Sequence, residues 1–78
     1  MSESEALQWI TTLFEEAPGS LTAETPLSSV EKWDSLGMLA LMAALDETFG
    51  LLATADDLIR MTRVGDILAL LRKHGKLA

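Results

Sequence analysis

The chain has no cysteine among its 78 residues, so neither a disulfide nor a thiolate-bound metal can stabilise its fold. Domains of this size often depend on such cross-links. Nonpolar residues make up 49% of the chain, which is enough for one compact core. We therefore expect residues 1–78 to form a single domain that is stabilised by helix packing. The absence of cysteine also fits a reducing compartment.

Basic residues are scarce, since six lysines and arginines stand against twelve aspartates and glutamates and give a net charge of −6. A surface with this charge repels nucleic acid phosphates and anionic lipid headgroups. No hydrophobic run is long enough to span a bilayer, and no secretory leader pattern opens the chain. We expect a cytoplasmic monomer that binds neither nucleic acid nor membrane and whose partners present basic surfaces.

Residues that usually build enzyme sites are also few. A lone histidine, His74, cannot supply both a general base and the group that orients it, so we interpret it as a solvated residue. Carboxylates occur as neighbours at 15–16, 46–47 and 56–57, and neighbouring side chains on a helix do not converge on one point. Phosphate-binding loops, dinucleotide fingerprints and zinc or EF-hand spacings are absent. The sequence predicts no catalytic residue and no metal site.

β-Branched residues are few and no run alternates between polar and nonpolar residues, so a sheet is not expected. Ser2 and Glu5 instead form the S-x-x-E pattern of a helix N-terminus. Nonpolar residues then recur at helical spacing, at Leu7, Ile10, Leu13 and Phe14. Pro18-Gly19 is predicted to end this first helix, and residues 17–33 are predicted to form a long loop.

A second helix is predicted between Asp34 and Gly50. Asp34 is a favourable N-cap because its carboxylate can accept hydrogen bonds from the first amides, and Trp33 and Met38 fit the positions of a hydrophobic staple. The helix should run to about Phe49, and Gly50 suits the left-handed residue that follows a helix. Three nonpolar residues of the preceding loop are expected to pack against the helices: Leu21, Leu27 and Val30.

Two further helices are predicted after residue 50. A short one is expected around Asp56–Arg60, and Thr62 is the predicted cap of the last helix. The nonpolar stripe of that last helix consists of Val64, Ile67, Leu68 and Leu71. Arg72 and Lys73 fall in its final turn, where cations interact favourably with the helix dipole. The prediction is therefore an all-α fold of three main helices and a short one.

The second helix is nonpolar on two opposite faces. One face is expected to build the core and to line any acyl pocket: Met38, Leu41, Met42, Leu45 and Phe49. The other face carries Leu36, Leu39, Ala40, Ala43 and Glu47, with Asp46 beside them. A domain of three or four short helices can hardly surround one of them, so we expect this second face to be exposed and to bind partners. The alternatives are a central helix buried between the others, or a homodimer interface.

Ser35 follows the predicted N-cap and is therefore the first residue of the second helix. Its hydroxyl should lie at the positive end of the helix, where an attached phosphate would meet unpaired backbone amides. Serine is also common near helix starts simply as a polar residue. The position of Ser35 alone therefore leaves both interpretations open.

The residues around Ser35 resemble the acyl carrier protein family. The resemblance rests on Trp33-Asp34-Ser35-Leu36-Gly37, on Leu41 followed by Leu45-Asp46-Glu47-Thr48-Phe49-Gly50, on Thr25-Pro26-Leu27 upstream, and on Asp56-Asp57-Leu58 and Thr62-Arg63-Val64 downstream. It covers roughly residues 5–72 without a gap. The Asp-Ser-Leu tripeptide alone is weak evidence, whereas its combination with the Phe-Gly pair in a short acidic chain is specific.

This resemblance implies a small four-helix bundle with no enzymatic activity of its own. It implies that a phosphopantetheinyl transferase attaches 4′-phosphopantetheine from coenzyme A to Ser35, while Asp34 caps the helix and helps to place the phosphate and the metal during transfer. The thiol of the arm, the only thiol in a chain without cysteine, then carries an acyl group as a thioester. The second face of the helix, with Asp46 and Glu47, becomes the docking site for loading, condensing or transfer enzymes with basic surfaces.

Departures from the family pattern bear on the pathway. Carriers of fatty acid synthesis typically have acidic residues where Gly37 and Ala40 stand, and a larger nonpolar residue and a proline where Ala53 and Thr54 stand. These departures favour a dedicated lipid, polyketide or other specialised pathway. An aminoacyl or peptidyl carrier of the non-ribosomal type is an alternative, against which Trp33 argues. A further alternative is an unmodified helical protein-interaction module, whose function would tolerate replacement of the serine by alanine.

Overall fold

The computed structural model describes residues 1–78 and contains four α-helices. They are α1 (Glu3–Leu13), α2 (Ser35–Phe49), α3 (Ala55–Ile59) and α4 (Val64–Lys73), and a 3-10 turn spans Leu27–Ser29 in the loop between α1 and α2. No strand is present, and the only extended pairing is an isolated antiparallel bridge between Pro26 and Arg63. The predicted all-α bundle of three main helices and a short third one is confirmed.

The N-terminus of α1 has the predicted capping box. The Glu5 N–H donates to the Ser2 Oγ (3.1 Å), and the Ser2 N–H donates to Glu5 Oε1 (2.8 Å). These two bonds satisfy amides that a helix N-terminus would otherwise leave unpaired. The hydrogen bond from the Ser2 backbone is the main cause that holds the pKa of the Glu5 carboxyl below its usual value.

The prediction that Pro18-Gly19 ends α1 is wrong, because the helix ends at Leu13. Glu15 adopts a left-handed conformation (φ 55°), and the Glu16 N–H then donates to the Thr11 carbonyl (2.9 Å). Glycine usually takes such a position, since a side chain there costs roughly 1–2 kcal/mol. A glutamate in this role gives no signal in the sequence. The proline-glycine pair, Pro18-Gly19, is therefore a misleading marker of the helix end.

Nonpolar residues from all four helices and from the loop between α1 and α2 form one buried cluster. The three loop residues expected to anchor that loop are all in it: Leu21, Leu27 and Val30. The predicted nonpolar stripe of α4 is also buried in this cluster: Val64, Ile67, Leu68 and Leu71. The loop thus belongs to the core, and its position is determined by burial rather than by regular secondary structure.

The inner face of α2 is less deeply buried than the sequence predicts. Leu41 and Leu45 have no exposed surface. The other three residues of this face pack against the core but are only partly buried: Met38, Met42 and Phe49. The Phe49 ring packs edge-on against Trp9 of α1, with 5.2 Å between ring centroids. Phe49 therefore lies at the border of the core, where it packs against Trp9 and the buried cluster and stays partly exposed.

The loop between α1 and α2 is hydrogen-bonded to the start of α4. The backbone bonds run from the Leu27 N–H to the Thr62 carbonyl (2.9 Å), from the Val64 N–H to the Thr25 carbonyl (2.9 Å) and from the Gly65 N–H to the Ala23 carbonyl (2.8 Å). An exposed ion pair between Arg63 Nη1 and Glu24 Oε2 (3.2 Å) accompanies them. The long loop consequently follows a fixed path toward α2.

Threonines occupy the entrances of α3 and α4 in different ways. Thr54 caps α3, since its Oγ1 accepts from the Asp57 N–H (3.2 Å) and Asp57 Oδ2 accepts from the Thr54 N–H (3.0 Å). The threonine that departs from the family pattern thus has a capping role. Thr62 is not the cap of α4, because the helix begins after Arg63 and the Thr62 N–H donates to the Asp66 carboxylate instead.

Asp66 makes the stability of the domain dependent on pH. Its Oδ2 accepts from the Thr62 N–H (2.8 Å) and the Arg63 N–H (3.2 Å), and the first of these bonds is the main cause that lowers its pKa. A carboxyl group whose pKa is lower in the folded state stabilises the fold above its unfolded pKa of about 3.9, and this stabilisation is lost as the pH falls through the folded value. We expect Asp66→Ala to lower the melting temperature at neutral pH, and to lower it less at an acidic pH below the unfolded pKa of about 3.9. Circular dichroism melts at both pH values test this, and an equal loss at both would contradict it.

Candidate functional site

The start of α2 is the best-defined polar feature of the surface. Asp34 Oδ1 accepts from the Gly37 N–H (2.8 Å), and the Asp34 carbonyl accepts from the Met38 N–H (2.8 Å). The prediction that Asp34 is the N-cap is confirmed. At the other end of the helix, Gly50 is left-handed (φ 64°) as predicted, and the buried Leu51 follows it. Both ends of α2 are therefore fixed by residues that the sequence identifies.

Ser35 is exposed at the first position of α2. Neither its own N–H nor the N–H of Leu36 has an acceptor within the protein. Such amides carry the positive end of the helix dipole and bind anions readily. The structure thus combines an accessible hydroxyl with two unpaired amide donors, which is an arrangement that fits a phosphate ester.

The second face of α2 is exposed along its whole length, as the sequence predicts. Leu36 and Leu39 are the most prominent, with 77% and 60% of their surfaces accessible. The remaining members of the predicted face are exposed as well: Ala40, Ala43, Asp46 and Glu47. The alternative of a central helix buried between the others is therefore wrong for this chain, because no other element covers this face.

Gly37 has a role that its helix propensity does not reveal. A Cβ atom at this position would lie 1.8 Å from the carbonyl oxygen of Lys32 and 3.4 Å from the Phe14 ring. Only glycine lets the backbone that precedes Ser35 come so close to the helix. In the sequence, this glycine stands out only as a departure from the family pattern. A glycine inside a helix could have signalled the close approach.

A shallow groove of about 300 Å³ lies between the end of α1 and the start of α2. Leu13 and Phe14 line it on one side, and Leu36 and Ala40 line it on the other. At its rim, Lys32 Nζ lies 3.2 Å from Glu15 Oε1 in an exposed ion pair. No pattern in the sequence marks Leu13, Glu15 and Lys32, because only the fold brings the end of α1 beside the start of α2.

Other polar features do not converge on a second site. No group of three or more histidine, cysteine, aspartate or glutamate residues is placed to hold a metal ion. His74 is exposed at the C-terminus of α4. A larger open cavity of about 460 Å³ lies between α1 and the loop that follows it, where Gln8, Thr12 and Pro18 line it. No helix is both long and nonpolar enough to cross a membrane.

Comparisons with known proteins agree with the features of α2. The family model described as the phosphopantetheine attachment site matches residues 8–71. Among solved structures, the chain is similar to a holo acyl carrier protein from Geobacter metallireducens determined by solution NMR, with 28% sequence identity and a TM-score of 0.73. That match covers 94% of this chain and 85% of the other. No curated protein sequence matches the chain.

The family match spans most of the chain and contains the exposed serine, its capping aspartate and the whole of α2. The similar structure shares the helical architecture over nearly the full length of the chain. The exposed hydroxyl and the two unpaired amides fit the phosphate of the cofactor that the family name specifies. The chain therefore belongs to the acyl carrier protein family and uses a covalently attached 4′-phosphopantetheine, as the sequence resemblance implies.

Proposed function

We propose that Ser35 bears the phosphopantetheine arm and that residues 1–78 form a single carrier domain that holds acyl groups as thioesters. The observation that carries this proposal is the exposed Ser35 beside two amides without acceptors. A phosphate on the Ser35 Oγ would lie at the positive end of a 15-residue helix. When bound, the arm supplies the thiol that the chain itself lacks.

Asp34 is proposed to support Ser35 in two ways. Its Oδ1 holds the first turn of α2 through the Gly37 N–H, which fixes the direction of the chain at Ser35. Its Oδ2 has no hydrogen-bond donor within the protein and faces the surface. This free oxygen can interact with the metal ion that accompanies coenzyme A in the transferase reaction.

Ser35→Ala tests the attachment site directly. Incubation of the apo protein with coenzyme A and a broad-specificity phosphopantetheinyl transferase should add the mass of one phosphopantetheine group to the wild type and none to Ser35→Ala. Intact-protein mass spectrometry measures both. Ser28→Ala and Ser29→Ala are the matched controls, because both serines are exposed in the preceding loop but do not start a long helix. These controls should be modified like the wild type, and a modified Ser35→Ala protein would refute the assignment.

The second face of α2 is proposed as the docking surface for partner enzymes. It presents nonpolar side chains near Ser35 and carboxylates toward its C-terminal half, at Asp46 and Glu47. A partner surface that combines a nonpolar pocket with basic residues is complementary to this pattern. The transferase and the enzymes that load, condense or transfer the acyl group would all approach this face, and the carrier itself acts as their substrate.

Leu39→Glu is expected to impair docking of partner enzymes and to leave the fold intact. Because 60% of Leu39 is exposed, its loss removes little packing, and surface substitutions usually change stability by less than about 0.5 kcal/mol. A buried, unmatched charge in the interface should nevertheless slow transfer by partner enzymes. Thermal melts and transfer kinetics measure the two effects. Ala69→Glu, at an exposed position of α4, is the control that should leave both unchanged. Unfolding of Leu39→Glu, or normal transfer, would contradict the proposed surface.

The pathway is proposed to be a dedicated lipid, polyketide or other specialised one in the cytoplasm. Ala40 supports a carrier unlike those of fatty acid synthesis, because it leaves the middle of the exposed face uncharged. Gly37 adds no support, since its close packing against the Lys32 carbonyl explains it. Mass analysis of the carrier isolated from its native host identifies the cargo, and an aminoacyl group would instead support the peptidyl carrier alternative.

A further inference from the structure

We propose that Glu15 masks the positive charge of Lys32 and thereby determines how readily enzymes with basic surfaces dock on this carrier. The inference rests on the proposed docking surface of α2. Lys32 Nζ lies 3.2 Å from Glu15 Oε1, and no other carboxylate is within ion-pair distance of this ammonium group. Both side chains are more than half exposed, so a docking protein meets the charges of both.

Lys32 is an isolated cation in an acidic part of the chain. Residues 1–59 contain all but one of the twelve aspartates and glutamates but only one of the six lysines and arginines, which is Lys32. A partner with a basic surface is attracted to this part of the chain and is repelled by an unpaired cation within it. With Glu15 beside it, Lys32 adds no net charge to this acidic part.

The position of Lys32 places its charge at the edge of the proposed docking surface. Lys32 lines the same shallow groove as Leu36 and Ala40, which both belong to that surface. Its backbone is held there, since its carbonyl oxygen packs closely against Gly37 in the first turn of α2. An enzyme that covers Leu36 therefore approaches this cation as well, and the charge next to it affects docking.

The conformation of Glu15 supports a role beyond stability. Glu15 is the only residue other than glycine with a left-handed backbone (φ 55°), and it follows a helix end, where glycine is the usual residue. An exposed ion pair contributes little to stability, so the contact with Lys32 does not offset this backbone strain. Strained residues often lie at functional sites. Glycine would suit the fold better at this position, but only a carboxylate neutralises Lys32.

Loading of the apo protein by a broad-specificity phosphopantetheinyl transferase tests the inference, with intact-protein mass spectrometry as the readout and coenzyme A in excess. At an ionic strength of about 0.01 M, where charges interact over roughly 30 Å, Glu15→Gln should lower kcat/KM about threefold. The loss should lie in KM for the carrier, because Glu15 does not touch the reacting atoms. The added substitution Lys32→Gln should restore the wild-type value.

Glu16→Gln is the matched control. It removes the same charge one residue further on, from a side chain that makes no ion pair. Its kcat/KM should differ from that of the wild type by less than about twofold. At an ionic strength of about 1 M, where charges interact over only roughly 3 Å, the difference between Glu15→Gln and Glu16→Gln should disappear.

Glu15→Gly adds a measurement that a purely structural role does not predict. Relief of the left-handed strain should raise the melting temperature by a few degrees, while KM for the carrier rises as it does for Glu15→Gln. The variant should thus be the more stable protein and the poorer substrate. A Glu15→Gly protein that melts below the wild type, or that is loaded as fast as the wild type, would contradict the inference.

The remaining outcomes distinguish the masking role from the attachment itself. A loss in Glu15→Gln that Lys32→Gln reverses supports the inference. Equal values for Glu15→Gln and Glu16→Gln overturn it, since net charge alone then governs docking. A loss that persists after Lys32→Gln also overturns it, because Glu15 itself then contacts the enzyme. In both cases the wild type still gains one phosphopantetheine group, whereas a wild type that gains no mass refutes the proposed function.

Discussion

Phe14→Ala is expected to lower the free energy of unfolding by about 3–5 kcal/mol, the cost of removing a phenylalanine from a core. Only 2% of Phe14 is exposed, and its ring packs edge-on against Trp33 at 5.8 Å between centroids. Domains of this size rarely have more than about 3–5 kcal/mol of stability from a single core. Phe14→Ala should therefore be largely unfolded at physiological temperature, as measured by circular dichroism during thermal and urea denaturation.

Phe49→Ala is the matched control, because it removes the only other phenylalanine of the chain. Phe49 is partly exposed at the border of the core, so its replacement by alanine removes less buried surface than the replacement of Phe14. We expect a clearly smaller loss of stability than for Phe14→Ala. From the sequence alone, Phe49 is predicted to be a core residue whose removal unfolds the domain. A folded Phe14→Ala protein together with an unfolded Phe49→Ala protein would restore that prediction.

Gly37→Ala is expected to destabilise the domain by about 1–3 kcal/mol, the usual cost of forcing an extra carbon into a packed site. The added Cβ would overlap the Lys32 carbonyl oxygen, and a backbone atom cannot rotate aside as a side chain can. Alanine is favoured over glycine inside a helix by about 1 kcal/mol, so propensity acts in the opposite direction. The steric term should prevail, and urea denaturation should show a lower midpoint.

Ala43→Gly provides the comparison for helix propensity. Ala43 is exposed on the same helix. Glycine there should cost about 1 kcal/mol, because the change alters helix propensity without altering any packing contact. Glycine is thus expected to be unfavourable at position 43 and alanine unfavourable at position 37. A Gly37→Ala protein that is more stable than the wild type would show that the segment before Ser35 can move away from α2.

Much of α2 could be predicted because its determinants are local. Asp34 and Gly50 act on the backbone amides and carbonyls nearest to them, and such capping patterns are readable in a sequence. The exposure of Leu36 and Leu39 could also be predicted, because a domain with so few helices cannot surround one of them completely. The proposal that the arm is attached to Ser35 rests on family resemblance more than on physical reasoning, because serine at a helix start is common.

The features that could not be predicted depend on contacts between distant parts of the chain. α1 ends before the predicted Pro18-Gly19 pair because Glu15 is left-handed, and no local sequence pattern predicts that conformation. The need for glycine at position 37 depends on the path of the Lys32 backbone, and the limited burial of Phe49 depends on where Trp9 lies. Hydrophobic periodicity identifies the face of a helix that is turned inward, but not how much of each side chain its neighbours cover.

The hydrogen bonds between the loop and the start of α4 impose an order on folding. The Arg63–Glu24 pair beside them joins residues that are 39 positions apart, whereas helix formation needs only contacts within a few residues. Closing a loop of this length costs chain entropy, so these contacts can form only when both segments are present and close together. On a ribosome, residues up to Gly65 must emerge before the bonds that hold residues 23–27 in place can form. The loop that precedes Ser35 is therefore held in place only after synthesis has passed the start of α4.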